Sequence, residues 1–324
     1  MPVLNEAGFI AESLGAVLAQ DYPANRLEIL VVDGGSTDDT RAIVQQLMAG
    51  QPHLRLLDNP RRIQAAALNI GIRAAQGEII VRVDGHTIIA PDYVCQCARL
   101  LAEGRADNVG GMMRARGETY VGQAVAVATQ SPFGIGGSKF HYTDQEQFVD
   151  TVYLGAYRRD ALLAIGLYDE QFHIIEDYEL NYRLRQSGGK ILLSPAIQSV
   201  YTPRASLGAL WRQYFKYGRW KVRTLQKHPA SLQWRQVISP LFVSLLAVSG
   251  ILGMFFTAAR RVGAAVVGCY LLANIIASTI AAGRAGWRYG PVLPLIFASI
   301  HLAWGLGFVA GSVRTLLTRK PGPQ

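Results

Sequence analysis

The sequence predicts an α/β protein whose doubly wound, mainly parallel sheet is followed by hydrophobic helices at the C-terminal end. Up to about residue 103, short apolar runs alternate with helix-like segments, which is the pattern of parallel strands joined by crossover helices. After about residue 236 the 324-residue chain becomes mostly apolar, in stretches near the about 20 residues that cross a bilayer. The mean hydropathy of +0.17, high for a soluble protein, reflects this uneven distribution.

Three short apolar runs that end in polar turns predict buried parallel strands. These runs cover residues 28–33, 54–57 and 78–84. Helices are predicted at residues 40–48, at residues 64–75, and from Pro91 to about Glu103. In a sheet of this type a ligand binds where the carboxyl ends of the strands open outward.

The chain begins almost at the first loop of this predicted sheet. Such a sheet normally opens with a strand of its own, whereas Met1-Pro2-Val3-Leu4 leaves room for little more than the end of one. We therefore expect either that the chain starts further upstream or that the sheet lacks an interior strand.

Changes in composition predict four regions along the chain. They are an α/β domain (1–203), a basic amphipathic juxtamembrane segment (204–236), a membrane domain of about three helices (237–316) and a tail (317–324). The apolar stretches lie near residues 237–257, 262–282 and 291–312. Helices buried in a large soluble core are the alternative, but three such stretches in succession would exceed one core.

The net charge of +9 comes largely from the juxtamembrane segment. Basic residues at that place favour anionic lipid headgroups and phosphate-bearing ligands, and no nucleic-acid-binding motif accompanies them. The expected location is the cytoplasmic membrane, crossed several times, with the α/β domain facing the cytosol. The positive-inside rule gives a mixed answer for three full crossings, so a hairpin that does not fully cross remains open. Three cysteines provide no disulfide framework.

Polar residues at two predicted strand ends are candidate ligand contacts. Asp33 could accept a hydrogen bond from the N–H of a base, or it could be an ordinary turn residue. Asp84 and His86 flank Gly85 directly after the third strand, so both side chains could meet one divalent cation that bridges two phosphates. A carboxylate and an imidazole suit Mn²⁺ better than Ca²⁺. A polar turn with an exposed histidine is the alternative.

Two further pairs of residues have chemistry that suits a site. Glu176 and Asp177 start a predicted helix, where a carboxylate could act as a general base or simply cap the helix. Arg219 and Trp220 lie in the basic segment. The guanidinium could hold a diphosphate, and the indole could stack on a sugar ring or anchor at the lipid interface.

Taken in order, these segments resemble the family 2 glycosyltransferases with the GT-A fold, and most of all the bacterial branch that makes exopolysaccharides. The matching segments are 2–6, 31–38, 69–71, 84–86, 155–159, 165–170, 176–177 and 219–220. Each motif alone is weak, but together in this order they are specific, and the resemblance extends into the membrane tail.

The resemblance implies an inverting transfer from a UDP-sugar in one displacement step. It assigns donor binding to Glu6, Asp33, Asp84 and Arg219. It assigns a divalent metal, Mn²⁺ or Mg²⁺, to Asp84 and His86. It makes Asp177 the catalytic base and places Glu176 and Trp220 on the acceptor side. His86 stands where the family usually has an acid, which leaves the identity of the metal open.

The acceptor that the resemblance implies is a lipid-linked saccharide, with other polysaccharide-assembly proteins as possible partners. Two related activities remain open, a processive polysaccharide synthase and a transferase that glycosylates polyprenyl phosphate. Lys216 stands where the processive synthases have glutamine, which argues against the first. A membrane scaffold that binds nucleotide sugars without turnover is the non-enzymatic alternative.

Overall fold

The computed structural model describes residues 1–318, so the last six residues of the predicted tail lie outside the described part. The chain forms two compact units. The first contains Met1–Ala115 and Ser138–Thr202, and the second contains Arg116–Gly137 and the chain from Pro203 onwards. The sequence-based boundary at residue 203 lies next to the observed one. Residues 116–137, which the sequence analysis placed in the first domain, group with the second unit because their short apolar helix packs there.

Nine strands and twelve α-helices occur within the described residues. The strands are β1 (Pro2–Val3), β2 (Ile29–Asp33), β3 (Leu54–Asp58), β4 (Ile79–Val81), β5 (Thr87–Ile89), β6 (Asn108–Ala115), β7 (Gln147–Phe148), β8 (Tyr153–Arg158) and β9 (Ile191–Tyr201). The helices are α1 (Ile10–Leu18), α2 (Thr40–Leu47), α3 (Gln64–Ala74), α4 (Tyr93–Ala102), α5 (Tyr120–Thr129), α6 (Pro132–Ile135), α7 (Arg159–Ala164), α8 (Glu176–Gln186), α9 (Leu207–Lys227), α10 (Ile238–Gly253), α11 (Thr257–Ala285) and α12 (Leu293–Thr318).

The strands of the first unit form two sheets. In the first sheet the order is β1-β2-β3 and all pairs are parallel, which confirms the predicted strand–helix–strand pattern. In the second the order is β4-β8-β6-β9-β5, with β7 on β9, and the β6–β9 pair is parallel while the others are antiparallel. The third predicted strand therefore pairs antiparallel with β8 and does not extend the parallel sheet.

β1 supplies two residues of strand at the place where the sequence analysis expected a missing one. Pro2 lies opposite Val32, and Val3 lies opposite Asp33, so β1 covers only the carboxyl end of β2. A cavity of about 690 Å³ lies between the two sheets, and its lining includes Ile29 of β2 and Ile79 of β4. Within residues 1–318 no strand pairs with both β2 and β4, so the two sheets remain separate.

The core of the first unit holds the strand ends in place. Leu14 of α1, Val31 of β2, Leu100 of α4 and Val109 of β6 are almost completely buried in one cluster. Burial of each such side chain stabilises the fold by about 1.5–3 kcal/mol. β2 and β4 both pack against this cluster, which holds the strands that precede the loops of the site.

The second unit consists of helices, three of which are long and apolar enough to cross a membrane. They cover Trp234–Gly253, Thr257–Ala285 and Leu293–Thr318. The sequence predicted each of these helices. The short helix α5 contributes Ala124, Val125 and Ala128 to a cluster with Phe297 and Ile300 of α12. This packing explains why residues 116–137 leave the first unit.

Candidate active site

The loop after β1 is tied to the loop after β2 by hydrogen bonds. The Asn5 backbone N–H donates to Ser36 Oγ at 2.9 Å, and the Thr37 N–H donates to Asn5 Oδ1 at 2.8 Å. The Glu6 N–H donates to Thr40 Oγ1 at 2.7 Å. Asn5 has a φ of 56°, a left-handed conformation that asparagine tolerates better than most residues. These bonds hold the backbone from which the Glu6 side chain projects.

Asp33 lies at the end of β2 and is 1% exposed. Its Oδ1 accepts hydrogen bonds from the Ser36 Oγ–H at 2.6 Å and the Ser36 N–H at 3.1 Å. Its Oδ2 accepts a bond from Arg41 Nη1 at 3.2 Å. A carboxylate has about four acceptor positions, so Asp33 shapes its own loop and keeps acceptor capacity for a ligand. Its contact with a base stays a prediction.

A buried arginine joins the candidate donor side of the site to the candidate base. Arg82 donates from Nε to Asp84 Oδ1 at 2.8 Å and from Nη2 to Asp84 Oδ2 at 3.1 Å. The same Nη2 donates to Glu176 Oε1 at 3.0 Å. All three residues are at most 9% exposed. Asp84 and Glu176 are 92 positions apart in the chain, and this arginine bridges them directly.

The three acids of this cluster differ in their tendency to ionise. Burial opposes ionisation of Asp84, but the Arg82 guanidinium outweighs it and lowers the pKa of Asp84. Burial raises the pKa of Glu176 to about 7, since the attraction of Arg82 offsets it only in part and Asp177 raises it further. Burial also raises the pKa of Asp177. The site therefore combines an ionised carboxylate, a glutamate that exchanges its proton near neutrality and an aspartate whose pKa is raised above its usual value.

Asp177 lies in the first turn of α8 and is partly exposed. Its Oδ1 accepts a hydrogen bond from the Tyr178 N–H at 2.7 Å. Ile175, directly before the two acids, has a φ of 58°, which is strained for a β-branched residue. The tertiary structure therefore imposes the direction in which α8 starts.

Glu6 and His86 meet across the site. Glu6 Oε1 lies 2.9 Å from His86 Nδ1, and both side chains are partly exposed. Gly85 allows this approach, because a Cβ at that position would lie 3.0 Å from Glu6 Cγ and 3.0 Å from Val3 Cγ1. The glycine between the two candidate metal ligands thus has a steric function, since its missing side chain leaves room for Glu6 and Val3.

Gly85→Ala is expected to destabilise the first unit by about 1–3 kcal/mol, because the added methyl group overpacks a contact with β1. The free energy of unfolding, measured with denaturant on the purified chain, tests this. Gly8→Ala is the matched control, since a Cβ there has nothing within 4 Å. Equal effects of the two substitutions would contradict the steric role of Gly85.

A cavity of about 180 Å³ opens at the carboxyl edge of the first sheet. Its lining includes Glu6, Gly34, Asn59, Arg62, Asp84 and His86. Arg62 donates from Nε to Gly34 O at 3.1 Å and from Nη2 to Gly35 O at 2.8 Å. The cavity brings together an arginine, two carboxylates and an imidazole, and this set suits a phosphate-bearing ligand with a cation.

The sequence analysis did not identify Arg62, Asn59 or Arg82. Signals for all three were present. Asn59 and Arg62 directly follow the end of β3 at the ligand-binding edge, and Arg82 is a charged residue inside an otherwise apolar strand-like run. A charge in such a run is rarely buried without a partner, so it indicated a buried ion pair.

The residues present fit a divalent ion only if a diphosphate shares in its binding. Within residues 1–318 no group of three or more His, Cys, Asp and Glu side chains is arranged to hold a metal. Asp84 and His86 offer one carboxylate and one imidazole, and Asp84 already accepts two bonds from Arg82. Mg²⁺ and similar ions in nucleotide sites take one or two protein ligands and complete their shell with phosphate oxygens and water.

Arg219 and Trp220 lie on α9 in the second unit. Arg219 is exposed, and the Arg223 guanidinium lies 5.5 Å from the centre of the Trp220 ring. The cluster formed by Glu6, Asp84, His86, Glu176 and Asp177 assembles from the first unit alone. The ligand contacts assigned to Arg219 and Trp220 by resemblance stay predictions.

Comparison with known proteins agrees with this fold. Residues 1–166 match the family described as Glycosyl transferase family 2. The chain is 34% identical over 321 residues to the succinoglycan biosynthesis protein ExoA of Rhizobium meliloti (strain 1021), covering 95% of this chain and 92% of that protein. The chain therefore belongs to glycosyltransferase family 2. It is a glycosyltransferase with the GT-A fold, as the sequence predicted.

Two further similarities extend beyond the catalytic domain. A Methanococcus voltae protein, dolichyl N-acetyl-alpha-D-glucosaminyl phosphate 3-beta-D-2,3-diacetamido-2,3-dideoxy-beta-D-glucuronosyltransferase, is 28% identical over 78% of this chain and 81% of its own length. The solved structure of the mannosyltransferase PcManGT from Pyrobaculum calidifontis, in complex with GDP-Man and Mn²⁺, has a TM-score of 0.61 and 22% identity. It covers 98% of this chain and 86% of that one. That likeness shows a shared fold.

Proposed function

We propose that this glycosyltransferase transfers a sugar, with inversion, from a UDP-sugar to a lipid-linked saccharide during synthesis of an exopolysaccharide or a related cell-surface glycan. The observation that carries the proposal is the buried Asp84–Arg82–Glu176 cluster. It joins the cavity that suits a diphosphate to the acids that suit a base, so donor and acceptor chemistry share one framework.

In the proposed reaction, Asp177 accepts the proton of an acceptor hydroxyl while that oxygen attacks the anomeric carbon of the donor. The bond from the anomeric carbon to the UDP oxygen breaks, and its electron pair leaves with the diphosphate. Arg62 at the cavity, and Arg219 by resemblance, would attract the departing negative charge. A Mn²⁺ or Mg²⁺ ion held by Asp84 and His86 would neutralise part of the same charge.

Arg82 and Glu176 set the geometry and the proton affinity of this base. Arg82 fixes Glu176 beside Asp177, and burial keeps a proton on the pair until the pH approaches neutrality. Because the two acids interact, they titrate as a pair, and Asp177 can act as the base only in the states in which it has lost its own proton.

The pH dependence of transfer follows from this pair. Burial raises the pKa of Glu176 to about 7 and also raises the pKa of Asp177, so the base keeps its proton to a higher pH than a free aspartate does. We expect kcat/KM to rise about tenfold per pH unit while Asp177 loses its proton and to level off at higher pH. In Glu176→Gln the rise is expected at lower pH, since Asp177 keeps the attraction of Arg82 and no longer faces the charge of Glu176. An unshifted profile in that variant would contradict the coupling.

The lipid-linked acceptor is supported by two observations. Three apolar helices of the second unit are long enough to cross a membrane, which supports an acceptor held in the bilayer. The Methanococcus voltae relative is named for transfer to a dolichyl phosphate-linked sugar. We also propose that the α/β domain faces the cytosol, where nucleotide sugars are made.

The experiment that tests this function measures nucleotide release and product together. Membranes that carry the chain are incubated with a panel of UDP-sugars and GDP-sugars, with a lipid-linked saccharide extract, and with Mn²⁺, Mg²⁺ or a chelator. The proposal expects UDP release that depends on the acceptor, and extension of the lipid-linked saccharide by one sugar.

Each alternative has its own outcome in the same experiment. A long polymer would identify a processive synthase, and a single sugar on polyprenyl phosphate would identify the other transferase. Tight binding of UDP without turnover on any acceptor would support the scaffold that binds nucleotide sugars. A GDP-sugar donor would overturn the assignment of UDP.

A further inference from the structure

Five cations form one stripe along α9. Residues 212, 216, 219, 223 and 227 follow the helical repeat, so their side chains lie within an arc of about 80°. They are Arg212, Lys216, Arg219, Arg223 and Lys227, and all are exposed.

No aspartate or glutamate occurs from residue 180 to the end of the sequence. The second unit and the chain after it hold sixteen Arg and Lys residues against one acid, Glu118, so the whole positive excess of the protein belongs to this half.

α9 lies side by side with α12, which is its principal neighbour. Glycines allow this close approach, since a Cβ at Gly218 would lie 2.1 Å from Trp304 O, and one at Gly307 would lie 2.1 Å from Phe215 O. Further along, Gln226 Nε2 donates to Thr315 Oγ1 at 2.5 Å. Residue numbers rise in the same direction on both helices, so the cationic stripe runs beside α12 for much of its length.

The helices α10 and α11 form an antiparallel hairpin whose turn lies near residues 254–256. Near the turn, a Cβ at Gly263 would lie 2.9 Å from Ser249 Oγ. Further from the turn, Phe242 stacks on Tyr270 with ring centres 4.5 Å apart. Phe242 and Tyr270 therefore mark one level of the hairpin, far from its turn.

α12 contacts the hairpin at this same level. Asn274 of α11 donates to Pro294 O at 3.1 Å, and Tyr270 Oη lies 3.1 Å from His301 Nδ1. A Cβ at Gly305 would lie 2.5 Å from Ser239 O, at the start of α10. Over residues 294–305 α12 thus passes from α11 to α10 without moving toward the turn. α12 crosses the base of the hairpin and does not run along it.

The exposed side of α12 is apolar. Leu295, Leu306, Val313 and Leu317 are between 39% and 81% exposed. Their spacing places them within an arc of about 40° on one face of the helix. A helix with one such face and a cationic companion is suited to lie in the interface plane of a bilayer.

From these contacts we propose that α9 and α12 form a surface that lies in the plane of the membrane, and that only α10 and α11 cross it. The apolar stripe of α12 rests on the acyl chains. The cations of the α9 stripe meet the phosphate headgroups, except for Arg219, which the proposed function assigns to the donor diphosphate. If α12 crossed the bilayer instead, α9 would carry its cations beside it into the hydrocarbon, where each is strongly unfavourable. In the plane, the same cations are attracted by anionic lipids.

The proposal also resolves the mixed answer of the positive-inside rule. With two crossings, Arg284, Arg288 and Arg314 lie on the side from which α10 starts, together with the stripe of α9. Arg260 and Arg261, near the turn of the hairpin, lie on the opposite side alone. The basic residues then concentrate on one side, as in membrane proteins whose cytoplasmic loops are rich in Lys and Arg.

The first test locates single cysteines with a membrane-impermeant maleimide on intact and on permeabilised cells. Ala230→Cys, Ala258→Cys and Thr318→Cys are made in full-length chain carrying Cys95→Ser and Cys269→Ala. Cys97 stays, because burial raises the pKa of its thiol and keeps it unreactive. We expect Thr318→Cys to be labelled under the same condition as Ala230→Cys and under the opposite condition to Ala258→Cys. Labelling of Thr318→Cys together with Ala258→Cys would overturn the proposal.

The second test measures the depth of α12 directly. A bimane label on Leu306→Cys or Leu317→Cys, in vesicles of phosphatidylcholine and phosphatidylglycerol, is quenched by lipids that carry the quencher near the headgroup or near the chain end. An in-plane helix gives stronger shallow quenching at both positions. Deep quenching at Leu306 with shallow quenching at Leu317 would show a crossing helix and contradict the proposal.

Discussion

Replacement of Asp177 by asparagine is expected to abolish sugar transfer while leaving nucleotide binding largely intact. The amide keeps the size of the side chain and an oxygen for the Tyr178 N–H, but it cannot accept the acceptor's proton. Loss of general-base catalysis typically lowers the rate by about 10²–10⁴-fold. The initial rate of UDP release and the dissociation constant of UDP, measured on the same membranes, separate the two effects.

Asp160→Asn is the matched control for this experiment. Asp160 is also an acid in the first turn of a helix, α7, but it is exposed. The control is expected to retain full activity. Loss of UDP binding in Asp177→Asn would show that Asp177 supports the structure of the site, and retained transfer would remove it from the mechanism.

Replacement of Arg82 by methionine is expected to destabilise the first unit by about 3–5 kcal/mol, because it leaves two buried carboxylates without their cation. Denaturant unfolding of the purified chain, followed by a probe of the α/β domain, measures this change. The free energy of unfolding of Arg82→Lys should lie between those of Arg82→Met and the unchanged protein. A lysine restores the charge, but its ammonium cannot make the two parallel bonds to Asp84 that the guanidinium makes.

Arg105 supplies the control for Arg82. It also pairs with two acids, Glu103 and Glu146, but at the surface, where water screens the charges and Arg105→Met should change little. A second variant separates charge from packing. Arg82→Met combined with Glu176→Gln should recover part of the lost stability, because one of the two unpaired charges is gone. Equal destabilisation by the single and double variants would indicate that packing, not charge, explains the loss.

The roles of Asp177 and Arg82 in the site explain why substitutions of these two residues have the largest expected effects. Asp177 is the only group to which the proposed reaction assigns the proton, so no neighbour replaces it. Arg82 is the point where the loop after β4 and the first turn of α8 are held together. The cavity of about 180 Å³ is lined by several polar groups that could each bind the diphosphate, so single changes there should have smaller consequences.

The amino-acid sequence by itself determined the class of the protein and most of its candidate site residues. The apolar runs at β2, β3 and the start of β4 predicted buried strands, because a strand buried on both faces needs an uninterrupted apolar run. All three strands form, but only β2 is largely buried, and β3 and β4 are partly exposed. Asp33 could be placed at the edge of the sheet because carboxyl ends of parallel strands open there. The same argument was applied to Asp84 and His86, but β4, which precedes them, pairs antiparallel with β8. Apolar stretches of about 20 residues predicted the three C-terminal helices, because the length and composition of a segment can be read directly from the sequence.

Only the tertiary structure decided which distant residues meet. Arg82 and Glu176 form an ion pair across 94 positions, and the antiparallel pairing of β4 with β8 brings residues almost as distant together. The same holds for α12, whose composition is that of a membrane span but whose neighbour is the cationic helix α9. Periodicity reports which face of an element is apolar, and it carries no information about the element that will cover that face. That choice depends on packing and charge in the folded chain.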